Sequence, residues 1–213
     1  MNRIAKPSRR NRFVTAIACA ALFAGSACSE PEVTDGPVGP SADGVDLRGS
    51  SLGGEFELTS HTGETVKWSD FDGQYRMIYF GFTSCPAICP TDVQRATRGL
   101  MAFEEAHPEL AGKVQPIFVS IDPDRDTPDA LNQFVSAFHP RLIGLTGSQE
   151  EVDAVIAKFG GSAEKLPAQE NGWYDMQHTN FTYLFAPDGS PLGIIPTDKR
   201  VKGVTAELER WIR

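Results

Sequence analysis

The chain has 213 residues, 40% hydrophobic and 23% charged, with 20 Gly and 15 Pro, the composition of one globular domain plus tails. This excludes a wholly disordered, collagen-like or polytopic membrane protein. A formal charge of -8 argues against non-specific nucleic-acid binding, and four cysteines are too few for a disulfide scaffold at this length.

Residues 1–12 hold Arg3, Lys6, Arg9, Arg10 and Arg12 and no acid, and an apolar run follows from Phe13 to Gly25. A basic start, a short apolar run and small residues before Cys28 predict an export signal over 1–27. The run is shorter than the roughly 20 apolar residues that span a bilayer. Cysteine directly after Ser26 and Ala27 is similar to a bacterial lipoprotein processing site, which makes Cys28 the expected lipid attachment. Gly25 departs from that pattern, which usually has a larger apolar residue there. Removal of 1–27 leaves 15 Lys+Arg against 28 Asp+Glu, and lipid on Cys28 leaves Cys85 and Cys89 as the thiols. Residues 28–50 are rich in Pro, Gly and Asp and predict a flexible tether. Residues 51–213 then form one domain, large enough to bury a core.

Within that domain the apolar period is mixed. Residues 55–59 and the stretch around Val66 predict a hairpin turning through His61, Thr62 and Gly63. YRMIYFGF (75–82) and VQPIFVSI (114–121) predict strands buried on both faces. Pro90 to about Ala106 predicts a helix with Val93, Leu100 and Phe103 on its apolar side, although Gly99 lies inside it. Thr127, Pro128 and Asp129 open a helix expected to reach Phe138. RLIGLTG predicts a short strand, and SQEEVDAVIAKFG an amphipathic helix ending at Gly160. TNFTYLFA (179–186) and PLGIIP predict a strand pair about Pro187-Asp188-Gly189, and VKGVTAELERWIR a final helix. The order is that of an α/β domain, a central sheet flanked by helices.

The densest chemical signal is GFTSCPAICP (81–90), between a buried strand and a helix. Pro90 suits a first helical turn, and Thr91 with Gln94 also reads as a capping box. Cys89 is expected near the helix N-cap and Cys85 in the loop before it. There the positive helix end favours thiolates, at the carboxyl end of a strand where α/β sheets present ligands. Two such sulfurs can hold a soft metal, exchange a disulfide, or form a fixed bridge, and so short a loop gains little from a bridge. A secure Cu(I) site needs a third ligand, most naturally an imidazole. His61 reads as a solvated turn residue, and His107 and His139 as helix-end residues. His178 stands before a core strand after a Gly-containing loop and is the candidate ligand. Met176 is a soft side chain two residues earlier, better read as packing. Asp122, Asp124 and Asp126 form an acidic loop that supplies either charge near the site or turn and cap chemistry.

These blocks in this order resemble the Sco (SenC) family of cytochrome c oxidase assembly proteins. The resemblance runs from about Gly54 to the C-terminus, through YFGFTSCPAICP, VSIDPDRDTP, FHPRLIGLTGS and the strand-leading His178 followed by YLFAPDG. It implies a thioredoxin-like fold with a central mixed sheet, flanked by helices and carrying an N-terminal β-hairpin. It also implies one copper ion per chain, Cu(I) and also Cu(II), held by Cys85, Cys89 and His178. The setting it implies is the periplasmic side of a membrane, with cytochrome c oxidase subunit II as recipient of the copper and other periplasmic copper or thiol-redox proteins as further partners. Ala87 departs from the family, which commonly has Asp between the two cysteines.

A copper chaperone is therefore the leading expectation. A thiol-disulfide oxidoreductase using Cys85 and Cys89 as redox thiols is the alternative, although the usual redox loop has two intervening residues rather than three. A thiol peroxidase, with one cysteine oxidised to sulfenic acid and the other resolving it, is the third reading.

Overall fold

The computed structural model describes residues 39–213. The export signal, Cys28 and the first part of the tether lie outside the described residues. Among the described residues no helix is long and apolar enough to cross a membrane.

Among the described residues, ten strands and four α-helices follow the expected order with three additions. The strands are β1 (Val45–Asp46), β2 (Glu57–Ser60), β3 (Thr65–Lys67), β4 (Tyr75–Gly81), β5 (Val114–Ser120), β6 (Ile143–Thr146), β7 (Ala163–Lys165), β8 (Met176–His178), β9 (Thr182–Phe185) and β10 (Pro191–Ile195). The helices are α1 (Ile88–Ala106), α2 (Pro128–Val135), α3 (Gln149–Lys158) and α4 (Arg200–Trp211). Eight strands form one mixed sheet in the order β1-β10-β9-β4-β5-β6-β2-β3. Strands β4, β5 and β6 are parallel, while β9 runs antiparallel to β4 and β2 antiparallel to β6. The N-terminal hairpin is β2 and β3, joined edge to edge with β6. This is the thioredoxin-like architecture expected of the chain.

The additions lie where the sequence lacks a strong period. β1 falls inside the stretch expected to be tether. Val45 and Asp46 pair with Ile194 and Gly193, so ordered structure begins before residue 51. β10 offers a free edge, and two residues suffice to cover it. β7 and β8 form a separate two-stranded sheet, with Ala163 opposite His178 and Lys165 opposite Met176. The strand expected over 179–186 is confined to Thr182–Phe185, and His178 belongs to β8 instead. Helix α2 ends at Val135, three residues before Phe138.

Two clusters of buried side chains fill the domain. One gathers Trp68, Ile78, Phe80, Phe118, Leu131, Phe159 and Phe185 with Cys89 and Val93 of α1. The other gathers Met77 and Leu184 with Leu100 and Phe103 of α1 and Val204, Leu208 and Trp211 of α4. Gly99 explains itself here. A Cβ on it would sit 2.4 Å from Val204 Cβ, so its absence lets α1 and α4 approach. Arg76 is fully buried in β4, its guanidinium 4.3 Å from the Trp68 ring centroid and bonded to Asp72 Oδ1 at 2.6 Å.

Candidate metal centre

Strand direction brings the site together. β4 and β5 are parallel, so the cysteine loop after Gly81 and the acidic loop after Ser120 leave the sheet at the same end. β9 is antiparallel, with Thr182 opposite Tyr79, so the chain enters β9 at that end too. His178 is carried by the segment that enters it. Its Nε2 lies 3.6 Å from Cys89 Sγ, across 89 positions of sequence. Cys85 stands beside them, its Sγ accepting the Cys89 amide N–H at 3.3 Å. Both cysteines are free thiols. Phe82, Cys85, Ile88, Met176 and His178 line a cleft of about 300 Å³, so Met176, packed against the core, also borders the site.

The local chemistry of the three side chains differs. Helix α1 starts at Ile88, two residues before Pro90, with Ala87 as an N-cap that contributes no side-chain bond. Cys89 is therefore in the first turn, fully buried, and the capping box of Thr91 and Gln94 is not used. The expectation that the helix end favours a thiolate meets an opposing effect at Cys89. Burial pushes its thiol up to about 12. Cys85 is half-buried and takes the amide bond that a thiolate would favour. His178 is held by Thr179. A carbonyl oxygen only accepts, so Nδ1–H donates to Thr179 O at 2.9 Å, and the lone pair sits on Nε2, facing the sulfur. Burial lowers the His178 pKa, which keeps the imidazole neutral. Phe82 meets the ring edge-on with centroids 5.9 Å apart.

The acidic loop brackets both the cysteine loop and the segment that carries His178. Asp126, fully buried, accepts from Thr83 N–H at 3.0 Å, from Thr83 Oγ1 at 2.6 Å and from Ser120 Oγ at 2.7 Å. It thereby anchors the loop two residues before Cys85. Asp122 takes the Tyr174 hydroxyl at 2.8 Å and bonds the Arg125 guanidinium. Arg125 donates to Tyr174 O at 2.8 Å and lies 3.7 Å from the centroid of that ring. Lys165 ties Asp124 to the same hairpin at 3.1 Å. The carboxylates of this loop thus tie neighbouring segments together, a role that differs from the turn and cap chemistry expected of them. Tyr174 and Arg125 were not foreseen as site residues. The only trace of them in sequence is an aromatic four residues before His178 and an arginine amid three aspartates.

The other histidines stay away from the centre. His107 caps α1 as expected and faces Glu209 at 3.3 Å. His61 is tied down rather than solvated, since its Nδ1 accepts from Gly144 N–H at 3.1 Å. His139 is buried, with a lowered pKa, beside Glu104 at 3.4 Å.

The donor set suits a soft monovalent metal: two sulfurs and a neutral imidazole. Among the described residues no three His, Cys, Asp or Glu side chains are already closed to metal-holding distances. Of the two sulfurs beside His178, Cys85 is the more exposed and Cys89 is fully buried.

A family model described as SCO1/SenC matches residues 45–213. The chain is 38% identical over 164 residues to the mitochondrial SCO1 homolog of Homo sapiens, covering 76% of this chain and 53% of that protein. It is 42% identical over 144 residues to the mitochondrial SCO2 homolog of Danio rerio, covering 67% and 51%. The match thus spans about half the length of these relatives. The structure of Bradyrhizobium japonicum ScoI with copper bound superposes with a TM-score of 0.68 at 35% identity, covering 76% of this chain and 99% of that one.

Proposed function

The chain belongs to the SCO1/SenC family, and from that premise we propose that it is a copper chaperone holding one copper ion through Cys85, Cys89 and His178. The observation that carries the reading is the approach of His178 Nε2 to Cys89 Sγ at 3.6 Å, with Cys85 Sγ bonded to the Cys89 amide. Copper bound to B. japonicum ScoI supports it. Two thiolates and an imidazole select Cu(I) by softness and leave a coordination position open. Copper is cargo here. The buried Cys89 and the Thr179-oriented His178 form the fixed side of the cradle, and Cys85 in the cleft is the side from which a recipient's ligand can displace protein sulfur. The recipient under this reading is cytochrome c oxidase subunit II. The chain works on the periplasmic side of a membrane, tethered through lipid on Cys28.

Thiol-disulfide exchange with a partner is the second reading. It draws on the Cys89 N–H aimed at Cys85 Sγ, which stabilises negative charge on the accessible sulfur. Removal of the imidazole separates the two. The full chain, reduced and titrated anaerobically with Cu(I) against a competing chelator, is expected to bind one equivalent tightly. His178→Ala is expected to lose that tight binding while keeping thiol-disulfide exchange. Stoichiometric Cu(I) binding of undiminished affinity in His178→Ala or Cys85→Ser would refute the chaperone site.

A further inference from the structure

Resting on the copper-site reading above, we propose that Arg125 and Tyr174 are positioning residues of the metal centre. With Asp122 they clasp the β7–β8 hairpin to the acidic loop, and through the hairpin they hold His178 against Cys89.

The need for a clasp follows from the topology. His178 is the last residue of β8, and β8 pairs with β7 in a sheet separate from the eight-stranded one. The hairpin is bonded to itself, Leu166 N–H donating to Asp175 O at 2.9 Å and Thr179 N–H to Ser162 O at 3.0 Å. Those bonds keep its shape and leave its place on the domain open. Among the described residues, the hydrogen bonds and ion pairs that leave residues 162–179 have two destinations. One is the contact of His178 with Cys89. The rest end on the acidic loop, where the Tyr174 hydroxyl meets Asp122, Arg125 meets Tyr174 O and Lys165 meets Asp124. Lys165 and Asp124 are both more than half exposed, and an exposed pair is worth little. The placement of the hairpin therefore rests on Arg125 and Tyr174.

The clasp has a buried anchor. Asp122 is only 2% exposed. One of its carboxylate oxygens takes the Tyr174 hydroxyl at 2.8 Å, and the other takes Arg125 Nε–H. Arg125 also donates from Nη1 to Tyr174 O at 2.8 Å, with its guanidinium 3.7 Å from the centroid of the tyrosine ring. Tyr174 is thus gripped at hydroxyl, ring and backbone carbonyl. Hydrogen bonds to charged groups are the stronger class, and the planar arginine fork fixes direction as well as distance.

The grip reaches the ligand by two routes. Tyr174 stands four residues before His178 in the same arm of the hairpin, a span of about 14 Å at most, so a shift of the arm at Tyr174 is carried to the imidazole. The second route is Phe82. Its ring has the Arg125 guanidinium 5.4 Å from its centroid and the His178 ring edge-on at 5.9 Å. Arg125 and His178 therefore press on one buried ring, in the loop that leads to Cys85. The Nδ1 bond to Thr179 O turns the imidazole, whereas the clasp places the backbone that carries it.

The test is a double-mutant cycle on the full chain, reading Cu(I) affinity against competing chelators. Tyr174→Phe keeps the ring and removes the hydroxyl. Arg125→Lys keeps the charge and removes the fork. Each is expected to weaken Cu(I) binding about tenfold, the loss usual when the support of a metal ligand is removed. Each is then made in the His178→Ala background, where a weaker competitor reads the binding left to the two cysteines. There neither is expected to change affinity by more than about twofold, because the group they position has gone. The urea transition of the metal-free variants is expected to stay cooperative. Unaltered affinity in either folded single variant overturns the proposal. So does a tenfold loss that persists in the His178→Ala background, which would mark a general structural role. Loss of the cooperative urea transition in both variants also overturns it, since the pair would then hold the fold and not the histidine. Wild type that binds no Cu(I) tightly, or His178→Ala that binds as tightly as wild type, instead overturns the copper site itself, and this inference with it.

Discussion

Gly81→Ala probes the tightest point of the site. Gly81 is not among the glycines with positive φ, so alanine meets no backbone strain and the effect is steric. The new methyl would stand 2.8 Å from Tyr79 Cε1, 3.0 Å from Cys89 Sγ and 3.1 Å from Phe118 Cε2. Against an ordinary carbon contact of about 3.5 Å, the Tyr79 contact is short by about 0.7 Å. All three neighbours are buried side chains, so relief for one presses on the others. Overpacking of this kind costs about 1–3 kcal/mol. With a urea slope of about 2 kcal/mol per molar, the midpoint of the reduced, metal-free protein should fall by about 0.5–1.5 M. The same clash pushes Cys89 Sγ away from its place beside His178 Nε2, and Cu(I) affinity should fall about tenfold, as when the support of a metal ligand is disturbed. Gly144→Ala is the matched control. Its Cβ would meet Val135 Cγ1 at 3.0 Å and Leu131 Cβ at 3.3 Å, between β6 and α2. It should lose stability and leave copper affinity unchanged. A Gly81→Ala protein that keeps both its midpoint and its affinity would refute the steric reasoning.

Two further outcomes follow from buried charge. His139 is buried with its pKa lowered, chiefly by burial, and Nδ1 accepts the Arg141 N–H at 3.1 Å, so that nitrogen carries no proton. A base with a depressed folded pKa holds its stability above its unfolded pKa of about 6.5 and loses it as pH falls through the folded value. Urea midpoints of the metal-free protein should therefore drop from pH 7 to pH 5 more steeply in wild type than in His139→Gln, and equal slopes would exclude His139 as a source of the drop. At the other end of the core, Arg76 has no exposed side-chain surface while Asp72, its ion-pair partner, is 70% exposed. Arg76→Ala leaves a cavity beneath Trp68 and should cost about 3–5 kcal/mol. Asp72→Ala leaves a guanidinium still bonded to Ala186 O at 3.1 Å and should cost less, about 1–3 kcal/mol. The reverse order of urea midpoints would contradict this assignment.

Much of the fold was legible because it rests on local period. β4 and β5 are unbroken apolar runs, and α3 shows its Ser148 cap, apolar stripe and Gly160 stop in sequence order. The cysteine pair was legible for the same reason, being one short loop between a strand and a helix. What failed were statements whose physics is not local. The helix N-terminus next to Cys89 argues for a thiolate, yet the sulfur is fully buried and burial pushes its thiol up. Gly99 weakens a helix on propensity, yet it is what admits Val204. β1 and the β7–β8 pair have too few residues to show a period and exist because an edge or a neighbouring strand was there to bond.

Read alone, the amino-acid sequence determined the α/β class, the order of its main elements, the closely spaced cysteine pair and, through resemblance, the family and the singling out of His178 among four histidines. The tertiary structure decided which atoms meet. The parallel course of β4 and β5 against the antiparallel β9 delivers His178 to Cys89. The carboxylates of Asp122 and Asp126 turn out to hold the loops in place. The physical reason is that propensity and period act between near neighbours, whereas burial, strand direction and the pairing of polar atoms are set by residues brought close only when the chain has folded.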